Sequence, residues 1–68
     1  MWITFKNEFR TDKGVVQVPV KINLNKIEHI IFFKERIELY PTTEDNFYGI
    51  YKYLNENFEE IKKKLMEL

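Results

Sequence analysis

The sequence has no cysteine, only two glycines and two prolines, and no excess of either charge, because eleven basic residues balance eleven acidic ones. Without cysteine, neither disulfides nor a thiolate metal site can stabilise the chain, and this absence fits a reducing cytosol. With two glycines, we do not expect a glycine-rich loop that binds phosphate. Zero net charge argues against attraction of the whole molecule to nucleic acid or to an anionic membrane.

Long hydrophobic runs are also missing. No stretch approaches the roughly 18 apolar residues that a membrane helix needs, and no basic leader precedes an apolar run at the N-terminus. We therefore expect neither a secretory signal nor a membrane span, and we predict a cytoplasmic protein. The 68 residues form one predicted domain, 1–68. A chain of this size buries only about 60% of its unfolded surface, and oligomerisation often supplements its stability.

Patterns typical of catalysis and metal binding are absent from the sequence. His29 is the only histidine, and Glu28 beside it points to the opposite face of a strand, so the two cannot act as a pair. There is no HExxH, no HxxxH and no acidic calcium loop. We predict no catalytic, cofactor-binding or metal-binding residues, no small-molecule substrate, and a protein that is not an enzyme.

The most regular pattern in the chain is an amphipathic stripe over residues 42–68. Its apolar side chains recur at steps of four and three, as on a helix with one buried face. They are Phe47, Tyr51, Leu54, Phe58, Ile61, Leu65 and Leu68. The stripe predicts one continuous helix over 42–68. A kink at 55–57, where Asn57 can start a second helical segment, is the alternative.

The residues before this helix carry the signals expected at its start. Pro41 ends the preceding strand, and Thr42 or Thr43 can accept hydrogen bonds from the first N–H groups of the helix. Glu44 and Asp45 place negative charge in the first turn, where it favours the helix dipole.

Two strands are predicted before residue 23. Residues 2–6 and 15–22 alternate apolar and polar side chains. The polar stretch 7–14 is the predicted connection between these strands. Within it, we expect Gly14 to supply a positive φ and Phe9 to fold back over the edge of the core. Pro19 has no N–H to donate to a ladder, so its strand belongs at a sheet edge or a bulge.

Two further strands, 27–33 and 37–40, form a predicted hairpin. If the loop has two or four residues, Phe32 faces Ile37; a three-residue loop would put Phe33 there instead. We favour the first register, because the loop lacks the glycine that a three-residue bulged turn usually requires.

Together these elements predict an α+β domain: a four-stranded antiparallel meander (ββββα, residues 1–40) with one long C-terminal amphipathic helix packed on one face. One helix covers one face of one sheet. The other face then carries side chains too apolar for a surface that contacts only water, namely Trp2, Ile31, Phe33 and Tyr40. A patch of this kind usually marks an interface. We predict docking of a protein partner or of a second copy in a homodimer, although strand twist and the 7–14 connection are an alternative cover.

Nucleic-acid binding is the second functional hypothesis. Lys62, Lys63 and Lys64 together with exposed aromatics on a sheet are compatible with a base-stacking platform. Glutamates interleave with these lysines, however, and a solvated helix end explains the triplet without a ligand. Nucleic acid is therefore the disfavoured partner, and a membrane-surface helix is not expected, because the polar face is acidic as well as basic.

One stretch resembles a known family. Residues 22–30 (INLNKIEHI), followed by 36–39 (RIEL) and the C-terminal helical stripe, resemble the FlbD family of small flagellar regulators. Those proteins have a similar short strand, an Asn-x-x-x-Ile-Glu-x-Ile stretch, an Ile-x-Leu strand and an amphipathic tail. The resemblance implies a small strand-rich fold and not a function, and it carries no functional residue over to this chain.

Overall fold

A computed structural model of the chain describes residues 1–43 and 46–68. Glu44 and Asp45, predicted to begin the long helix, lie outside the described residues. The described part has an α+β fold with five strands, two short 3-10 helices (Leu24–Lys26 and Lys52–Leu54) and one α-helix. The strands are β1 (Trp2–Thr11), β2 (Gly14–Asn23), β3 (Ile27–Phe32), β4 (Arg36–Pro41) and β5 (Tyr48–Tyr51), and the helix is α1 (Phe58–Met66).

The first two strands form a long hairpin, so the predicted loop over 7–14 is wrong. β1 and β2 pair in antiparallel register from Trp2 opposite Asn23 to Thr11 opposite Gly14, and only residues 12–13 turn. The polar residues of this stretch occur because the ribbon faces water here, not because the strand has ended. Gly14 has a φ of +117°, which confirms the positive φ predicted for it.

Pro19 lies on an edge strand, as predicted. β2 pairs with β1, and in the described chain no strand pairs with its other side. Pro19 stands opposite Lys6, whose backbone N–H and C=O both bond to Asn55 and therefore point away from β2. In an antiparallel ladder such a pair exchanges no hydrogen bonds, so the N–H that proline lacks is not missed.

The other three strands form a second sheet in the order β3-β4-β5. Phe32 pairs with Ile37 and Ile30 with Leu39, which confirms the favoured hairpin register. The backbone N–H of Phe33 donates to the carbonyl of Arg36 at 2.9 Å and closes the turn. The single four-stranded meander is therefore replaced by two antiparallel sheets, of two and three strands.

The predicted helix over 42–68 is wrong in its first half. Tyr48–Tyr51 is strand β5, which pairs with β4 and occupies an edge that would otherwise be open. In this strand Ile50 points into the core opposite Ile37, and Gly49 lies on the other face opposite Glu38. Short apolar runs fit both helical and strand periodicity, and here the unpaired edge of β4 decides between them.

The α-helix is limited to nine residues, Phe58–Met66, with Asn57 at its N-cap. It begins at the break that the sequence offered as the alternative at 55–57. The helical stripe is correct from that point on, because Phe58, Ile61 and Leu65 are all buried. These side chains meet the inward faces of both sheets in one core, together with Phe5, Ile22, Ile37, Leu39 and Ile50.

Asn55 joins the two sheets. Its side-chain oxygen accepts a hydrogen bond from the backbone N–H of Lys6 at 2.9 Å, and its Nδ2 donates to the carbonyls of Lys6 at 3.2 Å and Tyr51 at 2.9 Å. The residue is 5% exposed. One buried amide thus takes the place of a neighbouring strand at the inner edge of β1 and ties that edge to the end of β5.

We expect Asn55→Ala to lower the free energy of unfolding by about 2 kcal/mol, because partly buried backbone groups of Lys6 and Tyr51 lose the side chain that bonds to them. Urea unfolding followed by circular dichroism measures the change. The matched control is Asn57→Ala, since Asn57 makes no side-chain capping bond to α1 and its loss should change stability by no more than about 0.5 kcal/mol. Equal effects of the two substitutions would show that the Asn55 bonds do not hold the sheets together.

Candidate docking surface

The outer face of the β3-β4-β5 sheet lies opposite the face that α1 covers. Strand alternation and the observed register put alternate residues of β3 and β4 on this face. They are His29, Ile31 and Phe33 from β3 and its turn, and Arg36, Glu38 and Tyr40 from β4. We call these six residues the outer-face cluster.

Three of the four predicted interface residues belong to this cluster. Ile31 and Phe33 are each 38% exposed, and Tyr40 is half-buried. The Tyr40 ring stacks on His29 with 4.5 Å between ring centroids, and the ring centroid of Phe47 lies 5.4 Å from that of Tyr40. The structure therefore groups these residues into one apolar and aromatic surface.

Trp2, the fourth predicted residue, lies elsewhere. It belongs to β1 in the other sheet, where it is 59% exposed and the Nζ of Lys21 lies 5.5 Å from its ring centroid. Trp2 therefore does not extend the outer-face cluster.

A buried carboxylate organises the outer-face cluster. Glu38 is only 6% exposed, and both of its oxygens are occupied: Arg36 Nε donates to Oε2 at 2.8 Å, and the Tyr40 hydroxyl donates to Oε1 at 2.6 Å. The guanidinium of Arg36 in turn lies 4.2 Å from the ring centroid of Phe33. The charges are satisfied within the surface, and the rings of Tyr40 and Phe33 each contact a member of the ion pair.

These bonds shift two pKa values in opposite directions. The hydrogen bond from Tyr40 and then that from Arg36 lower the pKa of Glu38. The hydrogen bond between Tyr40 and Glu38 also raises the pKa of Tyr40, because it stabilises the protonated hydroxyl next to a carboxylate. Strand alternation in the sequence puts Glu38 and Tyr40 on one face, but their hydrogen bond was not predicted. Arg36 was missed because the sequence assigned it to the turn; its spacing of two from Glu38 was the signal that it shares this face.

A groove runs beside the cluster along the outer edge of β3. It has a volume of about 430 Å³ and lies between the strand residues Ile30 and Phe32 and the end of the chain at Leu65, Met66 and Leu68. Met66 and Leu68 are exposed. The described chain places no strand in this groove, because β3 is the last strand of its sheet.

The chain matches no protein-family model, and no curated protein or solved structure is significantly similar to it. Across residues 1–43 and 46–68, no helix has the length and apolar character to cross a membrane. Within those same residues, no three acidic or histidine side chains are grouped so that they could hold a metal ion.

The three lysines of the nucleic-acid hypothesis lie on α1. Lys62 is half-buried, and Lys63 and Lys64 are exposed. Because α1 packs against the inward face of the sheet, these lysines and the aromatic rings of the outer-face cluster lie on opposite sides of it. The two features do not form one continuous surface.

A second apolar surface was not anticipated from the sequence. Beyond Phe5 and Val20, the β1-β2 hairpin continues past the core, and Phe9, Val16 and Val18 stay on its inward face by strand alternation. All three are exposed, and Phe9 does not fold over the core edge as predicted. We call this projecting part the hairpin arm.

The pKa shifts predict how stability depends on pH. Because the pKa of Glu38 is lower in the folded than in the unfolded protein, its ionised carboxylate stabilises the fold. This stabilisation is complete above the pKa of an unfolded glutamate and is lost as the pH falls through the pKa of Glu38 in the folded protein. The pKa of Tyr40 is higher in the folded than in the unfolded protein, so its protonated hydroxyl stabilises the fold. This stabilisation is complete below the pKa of an unfolded tyrosine and is lost as the pH rises through the pKa of Tyr40 in the folded protein. Both contributions are present between about pH 5 and pH 9.

We expect Glu38→Gln to flatten the acid side of a plot of unfolding free energy against pH, because the titrating group is gone. Tyr40→Phe should flatten the alkaline side for the same reason. Urea denaturation at a series of pH values measures both effects. Glu56→Gln, which changes an exposed carboxylate, is the matched control. An acid slope that is the same in Glu38→Gln and Glu56→Gln would contradict this assignment.

Proposed function

We propose that this chain is a small, non-enzymatic protein-interaction module that docks through the outer-face cluster and the adjoining edge of β3. The observation that carries the proposal is the exposure of Ile31 and Phe33, each 38% accessible on a sheet face that α1 does not cover. Exposed apolar residues next to an open strand edge are typical of surfaces that bind protein.

The construction of the cluster supports the same proposal. The Glu38 carboxylate fixes Arg36 and Tyr40 through two short hydrogen bonds, and Tyr40 fixes His29 by stacking. Side chains already held in place lose little conformational entropy when a partner binds, so more of the interaction energy becomes affinity. A cytoplasmic location and a regulatory role remain predictions.

A photocrosslinking experiment tests the docking surface. Replacing Phe33 with p-benzoyl-phenylalanine puts a reactive ring of similar shape in the cluster, and Phe9, another exposed phenylalanine in the hairpin arm, is the matched position. After irradiation in cells of the source organism, we expect Phe33 to give a discrete protein adduct that Phe9 does not give. Adding Ile31→Lys to the Phe33 probe should abolish the adduct, because a charge then enters the apolar contact.

Two outcomes would contradict this proposal. If only the Phe9 probe gave adducts, the docking surface would be the hairpin arm and not the outer-face cluster. If neither probe gave an adduct, the outer-face cluster would have no protein partner. Oligonucleotide titration at two salt concentrations tests the nucleic-acid alternative, because phosphate contacts weaken as salt rises. Salt-dependent binding that Lys63→Glu removes would favour that alternative over protein docking.

A further inference from the structure

We infer that the partner of the β3 edge is a second copy of this chain, paired antiparallel with it about a two-fold axis at Ile31. This inference rests on the proposed docking function and adds the identity of the partner and the register. A two-fold axis requires that one surface fit itself, and the β3 edge meets this requirement in its backbone bonds, its side chains and its charges.

The backbone of β3 is ready for strand pairing. Phe33 N–H bonds to the Arg36 carbonyl, so by alternation Ile31 directs its backbone groups to β4, and those of Ile30 and Phe32 point outward. The outer edge of β2, in contrast, carries Pro19. Prolines, charged residues and bulges are the usual protection of sheet edges. β3 has no proline, and past the register shift between Ile27 and His29 its segment 30–32 is apolar on both faces.

The outward groups restrict the register of pairing. Ile30 and Phe32 both find a bonding partner within the regular part of β3 when one stands opposite the other in the second copy, which places Ile31 opposite Ile31. An axis at Ile30 would instead put Phe32 opposite Glu28, at the register shift between Ile27 and His29. Four hydrogen bonds then form between the two strands. On the outer face, His29 of one copy stands opposite Phe33 of the other, so apolar and aromatic side chains meet along the central part of the strand pair.

Charge supports this register over its neighbour. With the axis at Ile31, Glu28 at the register shift of β3 lies near Lys34 at the start of the turn in the other copy, so unlike charges meet at both ends of the strand pair. With the axis at Ile30, Glu28 would instead lie opposite Phe32, which carries no charge. Unlike cross-strand pairs stabilise a sheet, and like pairs destabilise it.

The size of the exposed surface is consistent with a missing second copy. The chain exposes 5285 Å², whereas a monomer of 8.4 kDa is expected to expose about 4600 Å². The excess is about 700 Å², and the projecting hairpin arm contributes part of it. It is comparable with the area of about 800 Å² that each partner buries in a standard interface. In the paired arrangement, the groove beside β3 receives the strand of the second copy, and Met66 and Leu68 at the groove wall gain an apolar neighbour.

A single introduced cysteine can report which residue lies at the two-fold axis, because the chain has no cysteine of its own. Residues opposite each other in a non-hydrogen-bonded antiparallel pair have Cα atoms about 4.5 Å apart, within the range of a disulfide. With oxidised glutathione as the oxidant, we expect Ile31→Cys to form a disulfide-linked dimer rapidly. His29→Cys should not, because two His29 positions lie about 13 Å apart in this register. Val18→Cys, 36% exposed on the hairpin arm, is the control for random collision.

Charge reversal gives an independent test on exposed residues that do not support the fold. We expect Glu28→Lys to weaken dimerisation about fivefold to tenfold, because two attractive pairs become repulsive. Lys34→Glu should act in the same way. The double variant restores the unlike pairs and should return the dimerisation constant to that of the unchanged chain. Sedimentation velocity over a wide concentration range measures each constant.

Several results would overturn this inference. They are a monomer at every concentration, equal disulfide rates for Ile31→Cys and Val18→Cys, or a double charge variant that dimerises no better than the single ones. Photocrosslinking at Phe33 distinguishes failure of the homodimer inference from failure of the proposed docking function. A monomeric chain that still gives a Phe33 adduct with a different protein retains the docking function and loses only the second copy as partner. A monomer without an adduct loses both.

Discussion

The fold depends on how the inner edge of β1 is satisfied. β1 reaches the second sheet without a strand-to-strand ladder, and the amide of Asn55 supplies the missing donor and acceptor to the backbone of Lys6. The same amide bonds to Tyr51 at the end of β5, so the two sheets are held at one point beside the core. With this junction in place, α1 can close both inward faces at once, and one nine-residue helix is sufficient for a chain of this size.

Much of this architecture could be predicted locally. The hairpin register followed from alternation and from the absence of glycine in the turn, and the edge position of Pro19 followed from its missing N–H. The helical stripe was correct wherever the helix exists. The error over Tyr48–Tyr51 had a tertiary cause: no local signal shows that β4 has an open edge to fill. Gly49 was informative all the same, because a glycine weakens a helix but fits a strand face where the Tyr51 ring lies close above it.

The outer-face cluster, too, was predictable from the sequence only in part. Three of its apolar residues were found from strand alternation, because an uncovered sheet face follows from counting layers. The network around Glu38 was not found, since a charged side chain on an outward face is ordinarily solvated. It is buried here between Arg36 and Tyr40, which bond to it along its own strand, and it stands opposite Ile31 in β3 and Gly49 in β5. Burial of an outward residue depends on neighbours from other strands, and a single sequence does not reveal them.

The hairpin arm has a practical consequence. Its turn at residues 12–13 lies at the far end of a ribbon that runs beyond the core, with exposed side chains on both strands. Two-stranded ribbons add little stability by themselves, and exposed loop tips are the sites where proteins best accept inserted sequence. An epitope or a fluorogenic peptide placed between Asp12 and Lys13 would therefore report on the molecule while leaving its centre and the β3 edge undisturbed.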